Sequence, residues 1–123
     1  MARLSPHFDS QEFRSSDGVA MPSRQLHWLR LLCVDFLEPL RAEFGVTRVT
    51  SGFRSPRAND RAGGAPKSYH RRIPGRRGAA ADVWCDRGHP WEWYEFLEGL
   101  QAPGLGLYTT HVHVDNRAGR ARW

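Results

Sequence analysis

The sequence predicts an α+β fold, a small antiparallel sheet backed by helices, and three observations carry that expectation. Leu26, Leu29, Cys33, Leu37, Leu40 and Phe44 recur at spacings of three and four, as one face of an amphipathic helix requires. Short β-branched or alternating runs at Val46–Ser51, Ala79–Trp84, Leu105–Tyr108 and His111–Asp115 read as strands. A chain of 123 residues with 40% hydrophobic content suits one domain, residues 1–123, around one core.

Taken in order, Leu4 to Phe13 reads as a loop in which Asp9 or Ser10 caps a short helical turn through Glu12 and Phe13. Its two phenylalanines should pack against the body. A helix over Ser23–Phe44 follows, started by Pro22 and Ser23 and ended by Gly45 in a left-handed cap, with Arg41 matching the dipole near its end. Val46–Ser51 is the first of the sheet strands. From Gly52 to Gly78 the chain is rich in Gly, Pro, Arg and Ser, lacks apolar periodicity, and is predicted to be a long loop. Such a loop in a compact domain is usually functional or disordered. Ala79–Trp84 is a strand with Ala80, Asp82 and Trp84 on one face. Pro90 suits the first turn of a helix running to Leu100, with Trp93, Phe96, Leu97 and Leu100 inward. Leu105–Tyr108 and His111–Asp115 form a hairpin around Thr109-Thr110.

A net charge of +5 favours an anionic partner, whether nucleic acid, an acidic membrane or a wall polymer. Cys33 and Cys85 are too few for a disulfide scaffold and lack C-x-x-C spacing, so they read as reduced, packed thiols. The first residues show no apolar run of signal-peptide length, and no stretch approaches a membrane span. The expectation is therefore a protein made in the cytoplasm, with no membrane partner.

Two segments carry chemistry. In His111-Val-His-Val-Asp115, strand alternation sends Val112 and Val114 to the core and lines His111, His113 and Asp115 along the other face. An exposed edge with two ordinary histidines fits the same pattern. His70, followed by the small-residue run into Asp82, offers zinc an imidazole nitrogen and a carboxylate oxygen. A carboxylate in so apolar a strand is costly to bury unless it is paired or binds a metal. A salt bridge to one of the many arginines would satisfy it equally.

Five ordered motifs then align with one family. Leu4-Ser-Pro-His-Phe-Asp-Ser-Gln-Glu-Phe13, Thr50-Ser-Gly-Phe-Arg-Ser-Pro56, Asn59 with Gly63-Gly-Ala-Pro-Lys-Ser-Tyr-His70, Gly78-Ala-Ala-Ala-Asp82, and His113-Val-Asp115 with Ala121-Arg-Trp123 resemble the zinc D-alanyl-D-alanine carboxypeptidases. The small phage and bacterial branch is the most similar. The family shares its metal-site fold with hedgehog signalling domains and lysostaphin-type peptidases.

The resemblance implies zinc ligands at His70, Asp82 and His113, with the fourth coordination position left to water. It implies that Arg54 binds substrate or stabilises the oxyanion, that Ser68 contacts substrate, and that a peptidoglycan stem peptide is the partner of an endolysin-like monomer. Such an enzyme would reach the wall by phage delivery or after lysis. Two features depart from the pattern. Between His70 and Asp82 the stretch Arg71–Arg77 holds about five inserted residues, expected as an exposed basic loop at the rim of the metal cleft. Where several members carry an acidic general base, this chain has Thr110. His111 is then the expected base or transition-state donor, with Asp115 as the alternative base or as a residue orienting His113. Two further classes stay open: a zinc-stabilised wall-binding module without catalysis, and a nucleic-acid binder. The second draws on eight Lys and Arg against Asp60 alone between Arg54 and Arg77. A pure binder would not need His70, Asp82 and His113 in register.

Overall fold

In the computed structural model, which describes residues 2–123, the N-terminal segment is more ordered than a loop. Strands β1 (Arg3–Ser5) and β2 (Phe8–Asp9) pair antiparallel, and a 3-10 turn over Ser10–Phe13 follows. Asp9 caps that turn. Its carboxylate accepts the Gln11 N–H at 2.9 Å while the Glu12 carboxylate accepts the Asp9 N–H at 2.9 Å, a reciprocal arrangement that satisfies otherwise orphaned donors. Phe8 and Phe13 are buried.

The uninterrupted helix expected over 23–44 is corrected by Pro39, which the apolar periodicity conceals. A proline inside a helix has no N–H to give and its ring collides with the turn before it. Helix α1 (Ser23–Leu32) therefore widens into a π-turn over Cys33–Leu37 before α2 (Glu38–Phe44) resumes with Pro39 in its first turn. There the Glu38 N–H donates to the Cys33 carbonyl, one residue further back than in an α-helix. Leu29, Leu32, Cys33, Phe36, Leu37 and Leu40 still share the buried side. Gly45 ends the helix at φ 82°, a conformation that other residues rarely adopt.

After β3 (Thr47–Ser51) comes a short helix within the expected loop, α3 (Pro56–Arg61). The Ser55 hydroxyl accepts the Ala58 N–H at 3.1 Å and Pro56 occupies the first helical position. That start signal lies among Gly and Arg residues that hide it. Next are β4 (Ala80–Cys85), α4 (Pro90–Gly99), β5 (Gly104–Leu107), β6 (Val112–Asp115) and β7 (Ala121–Arg122). The main sheet runs β3-β4-β6-β5-β7, with antiparallel neighbours except for β7, which joins β5 in parallel and was not foreseen.

The core lies between sheet and helices. Val83, Leu105, Val112 and Val114 of the sheet share one buried cluster with Leu29, Leu37 and Leu40 of the first helices and Trp93 and Leu97 of α4. Truncating Leu37 to Ala would cost about 2–5 kcal/mol by lost burial and the cavity left behind. Leu100, expected inward, lies just past the end of α4 and is exposed. Cys33 and Cys85 are free and buried. No helix of the described residues is long and apolar enough to cross a membrane.

Candidate metal centre

One row of residues crosses four strands. Register pairs Ser51 with Asp82, Asp82 with His113, and His113 with Gly106. Paired residues on antiparallel strands hold their Cα atoms about 4.5–5.5 Å apart, so Asp82 and His113 rise side by side from one face. His70 joins them from the loop before β4. Its Nδ1 lies 2.7 Å from the Gly52 carbonyl oxygen, which can only accept, so Nδ1 carries the proton and Nε2 is left with its lone pair. Nε2 stands 3.3 Å from Asp82 Oδ1, and His113 Nδ1 stands 3.2 Å from the same oxygen.

The second nitrogen of His113 is also committed. Nε2 lies 2.7 Å from Asp115 Oδ2, and Asp115 is in turn gripped by Arg117, whose Nε donates to Oδ1 at 2.8 Å and Nη2 to Oδ2 at 2.7 Å. Burial pushes the Asp115 carboxyl up, but the Arg117 fork and His113 outweigh it and hold its pKa at about 2. Asp115 is therefore ionised and accepts the His113 Nε2–H, which turns Nδ1 toward Asp82.

These directions test the fit of a metal. Burial is the leading effect on His70 and lowers its pKa, favouring the neutral ring, whose Nε2 lone pair faces a carboxylate oxygen at 3.3 Å. A cation between them converts that repulsion into attraction. Around His113, burial works against protonation, but the hydrogen bonds to Asp115 and Asp82 prevail and raise its pKa; the position favours positive charge. Burial pushes the Asp82 carboxyl up, but its contact with His113, a ring that favours positive charge, outweighs this and holds it well below the usual carboxylate range. Zinc with nitrogen and oxygen ligands at about 2.0–2.1 Å in a tetrahedron sets neighbouring donors roughly 3.3 Å apart. The three donor atoms lie within 4.8 Å of one another, the one such group among the described residues, and two imidazoles with a carboxylate fit zinc.

Strand β5 leaves the space this requires. A Cβ at Gly104 would run into the Asp115 carboxylate, and a Cβ at Gly106 into the Trp123 indole. Trp123 packs over His113 with ring centroids 4.8 Å apart and donates its Nε1–H to the Tyr108 hydroxyl at 2.8 Å. Glycines inside a strand are a sequence signal of close approach, and Gly104-Leu-Gly106 carries it. Arg117 has no such signal, since nothing in local sequence ties it to Asp115.

Other candidate residues surround the trio. Arg54 donates from Nε to Ser51 Oγ at 3.0 Å and from Nη1 to Asn59 Oδ1 at 3.3 Å, and its Nη2 lies 3.6 Å from Asp82 Oδ2. Ser68 Oγ accepts the His70 N–H at 3.2 Å. His111 is not on the strand with His113, as alternation implied, but in the turn before β6, where its ring stacks on Tyr108 at 4.5 Å. Its Nε2 still comes within 4.0 Å of Asp82 Oδ2. Thr110 does not point away either, since its hydroxyl lies 2.9 Å from His111 Nδ1.

The inserted segment is likewise not the exposed loop expected. Arg71, Arg72 and Arg76 are half-buried and cap carbonyls of their own neighbourhood. Arg76 reaches Lys67 O at 2.6 Å and Ser68 O at 2.9 Å and lies 3.8 Å over the Tyr69 ring. Guanidinium groups supply five donors each, so an arginine-rich loop can fold upon its own carbonyls.

A family model described as Peptidase M15 matches residues 6–115. The chain belongs to the peptidase M15 family. M15 peptidases are the zinc D-alanyl-D-alanine carboxypeptidase family, and membership makes this chain a hydrolase of the metallopeptidase class, in a zinc-dependent family that acts on peptidoglycan. The M15 match takes in β3, β4 and β6, and with them His70, Asp82 and His113. Neither curated proteins nor solved structures give a significant match.

Proposed function

We propose that this M15 chain hydrolyses a peptide bond in the stem peptide of bacterial peptidoglycan, with zinc held by His70 Nε2, Asp82 Oδ1 and His113 Nδ1. The observation that carries the proposal is the convergence of those three atoms in a cleft of about 420 Å³ that Arg54, Ser68 and Tyr108 also line. Bound zinc supplies Lewis acidity and lowers the pKa of water.

The remaining work falls to the chain's own groups. Arg54, anchored by Ser51 and Asn59, is assigned to the negative charge that develops on the scissile carbonyl oxygen; a donor already fixed in place needs little reorganisation. His111 is assigned the proton transfers. With Nδ1 engaged by Thr110, its Nε2 is the nitrogen left to take or give a proton. Asp115 is a positioning residue, because it is fully buried behind His113 and saturated by Arg117. Ser68 is assigned to substrate through its hydroxyl proton, its oxygen already accepting from His70.

Metal analysis of the purified protein, followed by mass spectrometry of products from purified peptidoglycan, tests the assignment. Zinc with released D-alanine marks a carboxypeptidase, and zinc with fragments severed at cross-links marks an endopeptidase. Zinc without turnover would make the chain a wall-binding module. A zinc-free protein that binds DNA tightly would end the proposal.

A further inference from the structure

A second cavity, of about 680 Å³, adjoins the metal cleft, and Arg54 lines both. Five arginines border it, Arg24, Arg54, Arg72, Arg76 and Arg77, and no carboxylate does. Trp28 and Phe53 add apolar wall, and the volume falls in the range of small-ligand sites. Three of the arginines come from the inserted segment, so the cavity and the insertion belong together.

The cationic groups there are under-satisfied. Nε and Nη1 of Arg72 and Nε of Arg76 are buried with no hydrogen-bond partner, an expensive condition for charged donors. After burial itself, the charges of Arg76 and Arg24 are what press on Arg72. Helix α1 begins at the same cavity with Pro22 as its N-cap, which provides no side-chain cap, and its first turn holds Arg24 and no acid. That is the reverse of what a helix dipole favours. An uncapped helix start and four arginines without a carboxylate partner, Arg24, Arg72, Arg76 and Arg77, meet at one cavity, a setting that favours an anion.

We infer that this cavity is a specificity pocket that receives a carboxylate of an acidic peptide whose neighbouring bond lies in the metal cleft. The inference rests on the proposed peptidase function. Because Arg54 belongs to both walls, occupant and scissile bond lie on one continuous chain. Trp28 and Phe53 suit the aliphatic portion of such a peptide, and planar guanidinium forks suit a carboxylate. Stem peptides offer that combination on their glutamyl residue.

Calorimetry on the zinc-loaded protein tests the pocket with two synthetic stem tetrapeptides, one with a free glutamyl α-carboxylate and one with it amidated. The parent should bind the free acid about tenfold or more tightly. Arg24→Gln and Arg72→Gln should each remove most of that preference with zinc content unchanged. In turnover the loss should fall on KM and spare kcat. Equal binding of the two peptides by the parent overturns the pocket, and if both are still cleaved the proposed function survives alone. A preference in binding with no cleavage of either overturns the function and keeps the pocket. Inorganic phosphate that binds and displaces both peptides alike would assign the arginines to a phosphate-bearing polymer and overturn the inference.

Discussion

Asp115 holds His113 from behind, Oδ2 at 2.7 Å from Nε2, and does so in a space that Gly104 leaves open on the adjacent strand. Carboxylates that orient a metal-binding histidine commonly contribute ten- to a hundredfold in metal affinity. Asp115→Asn should weaken zinc binding by about that factor while the fold persists. Gly104→Ala should do the same without touching any polar group, because the new methyl displaces the carboxylate. Competition against a chromogenic chelator reads both, and unchanged affinity in either variant would remove Asp115 from the supporting role.

His113→Ala should abolish metal binding outright. Metal that binds only the folded chain stabilises it by mass action, about 2.7 kcal/mol at a hundred times the dissociation constant. Chelator should therefore lower Tm in the parent and leave that of His113→Ala where it is. Equal parental melting with and without chelator would count against a folded-state site.

The turn before β6 separates two neighbours in sequence by role. His111→Ala should keep zinc but lose about 10²- to 10⁴-fold in kcat, the usual span of general acid–base assistance. Thr110→Ala removes one hydrogen bond to the His111 ring, a net effect of about 0.5–1.5 kcal/mol, and should cost no more than roughly tenfold. A His111→Ala loss no larger than that of Thr110→Ala would move the proton transfers elsewhere.

Asp17 fastens the N-terminal segment to α3. Its carboxylate accepts from Ser55 Oγ at 2.5 Å, Ser15 Oγ at 2.7 Å and the Val19 N–H at 3.2 Å. The Ser55 bond leads in holding its pKa at about 2, below the ordinary 3.8. A carboxyl depressed on folding contributes stability that is complete above its unfolded pKa and is lost as pH falls through the folded one. Tm of the parent should exceed that of Asp17→Asn at pH 6, and the two should converge as pH drops from about 4 to 2. A gap that stays constant over that interval would show that the charge is immaterial.

The parts of the fold legible in sequence were those with strong periodicity or local chemistry. Leu29, Leu37 and Leu40 announce the helical face, and Val112 and Val114 announce the strand that sets His113 and Asp115 opposite. His70, Asp82 and His113 are visible as a trio because each sits in a compact motif; the sheet register pairs Asp82 with His113, and the loop before β4 adds His70. What stayed hidden depended on distance. Arg117 matters through its fork on Asp115, Ser51 through its hold on Arg54, and β7 through pairing with β5; none of these has a local signature. His111 departs from the strand pattern for a different reason. Alternation holds only within a strand, and β6 starts at Val112, one residue after His111.

Cys33 and Cys85 are packed in the hydrophobic core, 0% and 4% exposed, and burial drives the Cys33 thiol up to about 12 and raises that of Cys85 as well. Since the thiolate is the species that oxidants attack, both sulfurs are shielded twice, by access and by protonation. A protein so built can work in an oxidising exterior, or sit in aerated buffer without reductant, and neither scramble into mixed disulfides nor offer a sulfur to compete with the imidazoles for zinc.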